Sequence, residues 1–198
     1  MKLRFGRITF VVSYPLVGLM TAVIILDRSY SVLLCFLAAV LHELGHIATL
    51  ELLHSPPDTI RLTLFDIAIV DNKKALRGNR RNLAVILSGA AVNYLFAALS
   101  HLAFLCTGWQ ELSVFTAAHL TLGIFNSLPV CSLDGGQALN IILQRRFDPE
   151  MCDRIMKIVS LIFLFPMALW GFLLLLHTRY NFTLLLASAW LIFETLRS

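Results

Sequence analysis

Tyr30–Leu53 reads YSVLLCFLAAVLHELGHIATLELL. A bilayer crossing needs about 20 predominantly apolar residues in helix, and this stretch supplies them. It also holds His42, Glu43, His46 and Glu51. Ionisable groups at that depth cost several kcal/mol unless paired, so their presence asks for a function. The rest of the chain explains the apolar setting. Of its 198 residues, 58% are hydrophobic and 14% charged, and mean hydropathy is +0.79. A soluble domain carries about 25% charged residues and leaves much of its surface in water. The composition therefore excludes a soluble globule, and it excludes disorder, which needs the opposite bias. The net charge of +4 suits the setting of membrane topology, and no direct nucleic acid binding is expected. Cys35, Cys106, Cys131 and Cys152 form no CxxC pair and read as small buried hydrophobes.

Working outward, the hydropathy pattern predicts six spans: 8–26, 30–53, 83–107, 112–143 broken at Pro129, 155–176 and 180–196. The first follows Lys2, Arg4 and Arg7 and reads as an uncleaved anchor, too long for a cleaved signal. With the N-terminus in the cytosol, all but Arg28 and Arg179 of the 16 Lys and Arg residues fall on the cytosolic side, as the positive-inside rule asks. The expected fold is an all-α polytopic membrane protein, one domain over 1–198. It would be multi-pass in the cell membrane, with both termini cytosolic and the lipid bilayer as its surroundings. Between the second and third spans, Asp58–Asp71 alternates. Ile60, Leu62 and Leu64 share one parity, then Phe65, Ile67 and Ile69 take the other. That predicts a small membrane-associated β-hairpin with a phase break near Leu64–Phe65; an irregular interfacial loop is the competing reading.

His42-Glu43-Leu44-Gly45-His46 is HExxH. Residues four apart lie on one helix face, so both imidazoles can reach a single ion. Glu43 is rotated from them but close enough to face a water there. Two neutral His ligands and a carboxylate base are the zinc-hydrolase arrangement. Two histidines leave tetrahedral zinc short of a ligand. Asp134 is one candidate for the third, Glu51 a rival nearer the helix end. Asp134 follows Pro129, where the fourth span should break, and precedes Gly135 and Gly136, which would let the backbone approach a neighbouring helix. With Gln137 it also reads as a capping box, which alone would place an acid there. Lone His101 and His119 read as helix–helix hydrogen-bonders, with contact to the active-site cavity as the competing reading for His119, which precedes Asn126 by two helical turns, and His54 and His177 read as interfacial residues.

HELGH in the second span, followed by Asn126-Ser127-Leu128-Pro129-Val130-Cys131-Ser132-Leu133-Asp134-Gly135-Gly136, resembles the site-2 protease family of intramembrane zinc metalloproteases. The likeness is greatest to its sporulation type, the stage IV FB group, and covers Tyr30 to about Gln144. It implies one zinc on His42, His46 and Asp134, with Glu43 as catalytic base. The family often shows Gly-Pro-x-x-Asn in a core span. Here Ser88-Gly89-Ala90-Ala91-Val92-Asn93 keeps the Gly and Asn without the Pro. Asn93 and Asn126 are therefore candidate oxyanion or substrate contacts. No CBS or PDZ-like domain is expected, so regulation through one is not carried over.

The reading is an intramembrane endopeptidase that cuts a peptide bond in or near a transmembrane segment. The resemblance implies a substrate such as a membrane-tethered transcription factor precursor or an anti-sigma factor, with membrane regulators as further partners. Ile60, Leu62, Leu64, Ile67 and Ile69 are candidates to clamp unwound substrate as an added strand. Two other classes stay open: a catalytically idle relative that binds membrane proteins, and a metal transporter with the same ligands along a path. Transport would favour a series of ligand clusters, and the sequence shows one.

Overall fold

The computed structural model describes residues 2–5, 8–14, 18, 21, 30–55, 59–62, 67–70, 78–178 and 183–197. Four strands and, from Ser31 onward, six helices fall within them. The chain forms two compact units, Met1–Gly123 and Ile124–Ser198.

In the first unit, α1 (Ser31–Leu52), α2 (Asn79–Thr107) and α3 (Gln110–Asn126) carry the apolar spans; the last residues of α3 pass into the second unit. α1 and α2 pack closely because glycines let them. A Cβ on Gly45 would come within 2.9 Å of the Ser88 carbonyl oxygen and 2.8 Å of Val92 Cγ2. α2 ends at Gly108, whose φ of 70° is the left-handed closure that glycine adopts without steric cost.

The strands are β1 (Lys2–Phe5), β2 (Ile8–Val12), β3 (Thr59–Leu62) and β4 (Ile67–Val70), in the order β1-β2-β3-β4. β3 and β4 pair antiparallel with Ile60 opposite Ile69, while β2 and β3 run parallel with Phe10 opposite Ile60. Two expectations change here. The segment 58–71 does not stand as a separate two-stranded hairpin; its strands are part of a four-stranded sheet. The run 8–26 is not one continuous helix either. Ile8–Val12 is a strand, rich in the β-branched residues that suit a pleated surface, and it is paired on both sides. Tyr14, Gly18 and Thr21 beyond it are helical. The rest of 15–29, and Leu64 and Phe65 with their predicted phase break, lie outside the described residues.

The second unit holds α4 (Asp134–Leu143), α5 (Pro149–Thr178) and α6 (Thr183–Arg197). Its core joins Val130, Leu133, Leu164 and Leu191, with Phe125, Leu128 and Ile192 against them. The expected break at Pro129 is present: α3 stops at Asn126 and α4 starts at Asp134. At Gly171 α5 meets α6, where a Cβ would lie 2.7 Å from the Leu185 backbone nitrogen.

α1, α2 and α5 are long and apolar enough to cross a membrane. Large apolar side chains lie exposed along them, Leu33, Leu37, Leu95, Leu99, Phe165 and Trp170 among them. So extensive an apolar surface marks a membrane protein, since a soluble chain would not leave it to water. At 17 and 15 residues, α3 and α6 are shorter than a full straight crossing.

Candidate metal centre

HELGH lies within unbroken α1, so the four-residue spacing holds. His42 and His46 are 4% and 7% exposed. Their rings meet edge to face with centroids 4.8 Å apart, and their Nε2 atoms converge to 3.2 Å. Glu43, between them in sequence, is half-buried.

The outer ring nitrogens are also engaged. His46 Nδ1 lies 2.7 Å from the Val85 carbonyl oxygen. A carbonyl only accepts, so the proton sits on Nδ1 and Nε2 presents its lone pair. A histidine that ligates a metal is held in this way. His42 Nδ1 lies 3.0 Å from Asn93 Nδ2. Asn93 Oδ1 lies 2.9 Å from His119 Nδ1. Asn93 and His119 are both fully buried.

α2 passes the pair at Gly89. A Cβ there would overlap His46 Nε2 and stand 2.7 Å from His42 Cε1. The histidines thus occupy space that only glycine leaves open. Gly89→Ala is expected to fold, since it sits mid-helix, but to weaken metal binding by at least ~10-fold because the rings must turn aside. Competition against a chelator measures this, and wild-type affinity in the variant would contradict the packing argument.

Asp134 is the first residue of α4, half-buried. The N-cap position is Leu133, with no side-chain capping bond, and the Leu133 carbonyl accepts from Gln137 N at 3.0 Å. Asp134 therefore stands one position inside the helix and not at the N-cap that a capping box requires. The glycine pair also works differently from expectation. A Cβ on Gly135 would overlap the Ser127 carbonyl, and one on Gly136 the Val130 carbonyl. The pair makes room for the chain's own preceding turn, not for a neighbouring helix. That turn is tied to α5 where Cys131 N donates to Ser160 Oγ at 3.0 Å.

Among the described residues, His42, His46 and Asp134 form a group whose ligand atoms all lie within 4.8 Å of one another and which could hold a metal ion. Two imidazoles and a carboxylate are donors that suit zinc.

The other sequence candidates separate. Glu51, the rival ligand, is exposed. His101 is exposed and lies against Phe104 of its own helix, so it does not act as a helix–helix bonder among the described contacts. His54 and His177 are exposed. Asn126 ends α3, half-buried. Asn93 meets a histidine at each end of its amide, His42 through Nδ2 and His119 through Oδ1. His119, read from sequence as a bland helix–helix residue, belongs to this network. Its sequence signals were a lone imidazole in an apolar helix and a place two helical turns before Asn126.

No family model and no curated protein matches the chain. Among solved structures, it is similar to the site-2 protease from Methanocaldococcus jannaschii, with a TM-score of 0.71 and 21% identity over 100% of this chain and 94% of that one. The fold is that of a site-2 protease. At this identity the likeness speaks for the fold, and the chemistry rests on the residues above.

Proposed function

We propose that the chain is a zinc-dependent intramembrane endopeptidase of the site-2 type. The single observation that carries this is the convergence of His42 and His46 Nε2 atoms, 3.2 Å apart, inside a helix long enough to cross a membrane. His42, His46 and Asp134 would hold the zinc. Bound there, it would lower the pKa of water toward about 7 and polarise a carbonyl. Glu43 takes the proton of the attacking water and returns it to the leaving amine. Val85 orients the His46 ring and Asn93 holds the His42 ring in place. Asn126 remains a candidate substrate contact at the end of α3.

Six residues separate His46 from Leu52, about 9 Å of helix rise. With the topology read from the basic residues, the centre sits in the cytosolic half of the membrane and product leaves to the cytosol. The proposed substrate is a membrane-tethered regulator, such as a transcription factor precursor or an anti-sigma factor. The sporulation subtype follows from the sequence likeness alone. Co-expression with candidate membrane regulators tests the reading: cleavage by the wild-type chain and none by Glu43→Gln supports it. Zinc flux in vesicles without cleavage would favour transport instead.

A helix hides its carbonyls in i to i−4 bonds, so substrate must unwind and find new backbone partners. We place this clamp on β4, which carries Ile67 and Ile69 at an edge of the described sheet. β3, which carries Ile60 and Leu62, is paired on both sides, so β4 offers the open edge; Leu64 lies outside the described residues. Consecutive amides on a strand point opposite ways. Of Ile67→Pro and Ala68→Pro, one therefore removes a donor toward the open edge. That variant should cut several-fold more slowly while keeping its zinc. Wild-type cleavage by both would end the clamp idea and leave the protease reading intact.

A further inference from the structure

His119 is 0% exposed. It stacks on Phe96 at 5.3 Å and meets Phe115 edge-on at 4.4 Å. The two rings fix its position and supply no hydrogen bond to its imidazole. Its Nδ1 meets Asn93, and its Nε2 is buried without a partner. A fully buried imidazole with one bonded nitrogen needs an account beyond packing.

The hydrogen-bond polarity supplies one. Asn93 Nδ2 can only donate, so His42 Nδ1 accepts from it at 3.0 Å. His42 then carries its proton on Nε2 and donates to His46 Nε2 at 3.2 Å. Farther out, His119 Nδ1 donates to Asn93 Oδ1 at 2.9 Å. This arrangement is self-consistent without a metal, but it blocks the His42 lone pair that a metal needs.

Turning the Asn93 amide by a half-rotation exchanges Oδ1 and Nδ2 with little movement. His42 then loses its Nε2 proton and gains one on Nδ1, donated to Asn93 Oδ1. Asn93 Nδ2 donates to His119 Nδ1, and the His119 proton moves to Nε2. No proton enters or leaves the set overall. Both Asn93 bonds are kept with their direction reversed, the His42–His46 bond gives way, and both Nε2 lone pairs on α1 are now free. We propose that His119 is a positioning residue that, through Asn93, selects the tautomer of His42 able to bind metal. The inference rests on the metal-centre reading above.

The test is zinc affinity of the full chain in detergent, by competition with a chelator, for three proteins. His119→Phe keeps the aromatic stack but leaves one end of the Asn93 amide unheld. It should weaken zinc binding about 10- to 100-fold. Asn93→Asp added to His119→Phe should restore affinity to within a few-fold of wild type, since a carboxylate only accepts and fixes the His42 Nδ1 proton by itself. A packing role for His119 would not be rescued by a change at position 93. Independently of any variant, ¹⁵N shifts of the wild-type histidines should show the His119 proton move from Nδ1 to Nε2 when zinc is added. Wild-type affinity in His119→Phe, no rescue in the double variant, or an unmoved His119 proton would overturn the proposal. A wild-type chain that binds no zinc would instead overturn the metal centre, and this inference with it.

Discussion

Glu43→Gln is expected to retain about one zinc per chain and to lose peptide cleavage by a factor of about 10²–10⁴. Glu43 is half-buried on the same helix as His42 and His46 and is not needed to complete the group of three possible ligands. The amide keeps the size of the side chain and removes its capacity to take a proton. Binding of metal and fold should therefore survive while proton transfer does not. Metal analysis and a cleavage assay on one preparation measure both halves. Loss of zinc together with activity would move Glu43 into the ligand set and contradict its role as base.

The second large effect is the converse. His46→Ala should cut zinc from about one per chain to near none, because two remaining donors seldom hold zinc against water and chelators. It also frees the Val85 carbonyl, which His46 Nδ1 meets at 2.7 Å. That carbonyl still accepts from Ser88 Oγ at 2.6 Å, so the helix should stay folded. Circular dichroism on the same sample separates metal loss from unfolding. Undiminished zinc in a folded His46→Ala chain would remove this histidine from the centre.

What the sequence made legible was local. His42 and His46 converge because a helix brings residues four apart to one face, and nothing distant can undo that spacing. Pro129 breaks the fourth apolar region because it cannot continue a helix. The misread features are long-range. Ile8–Val12 has the hydropathy of a membrane span, and its strand form depends on parallel pairing with Thr59–Leu62, far along the chain. The same pairing makes β3 an internal strand of the described sheet. Asp134 looked like a cap because Gln137 stands three residues on, but the helix takes Leu133 as its cap instead. Asn93 and His119 are 26 residues apart on different helices. Asn93 was visible as a motif residue and His119 as a lone imidazole in an apolar segment, but their bond to each other, and that of Asn93 to His42, needed the packed helices. Gly89 was visible as half of a motif; its physical reason, space for two imidazoles, needed the packed helices.

We propose that His42, His46 and Asp134 hold one zinc. X-ray absorption at the zinc edge of the purified full chain tests it most directly. Stoichiometric zinc is expected, with two imidazole nitrogens at about 2.0–2.1 Å and a light oxygen shell at about 2.0–2.2 Å. Asp134→Ala should lower the zinc content and alter the oxygen shell. Sulfur in the shell, a single imidazole, or an unchanged spectrum and zinc content in Asp134→Ala would contradict it.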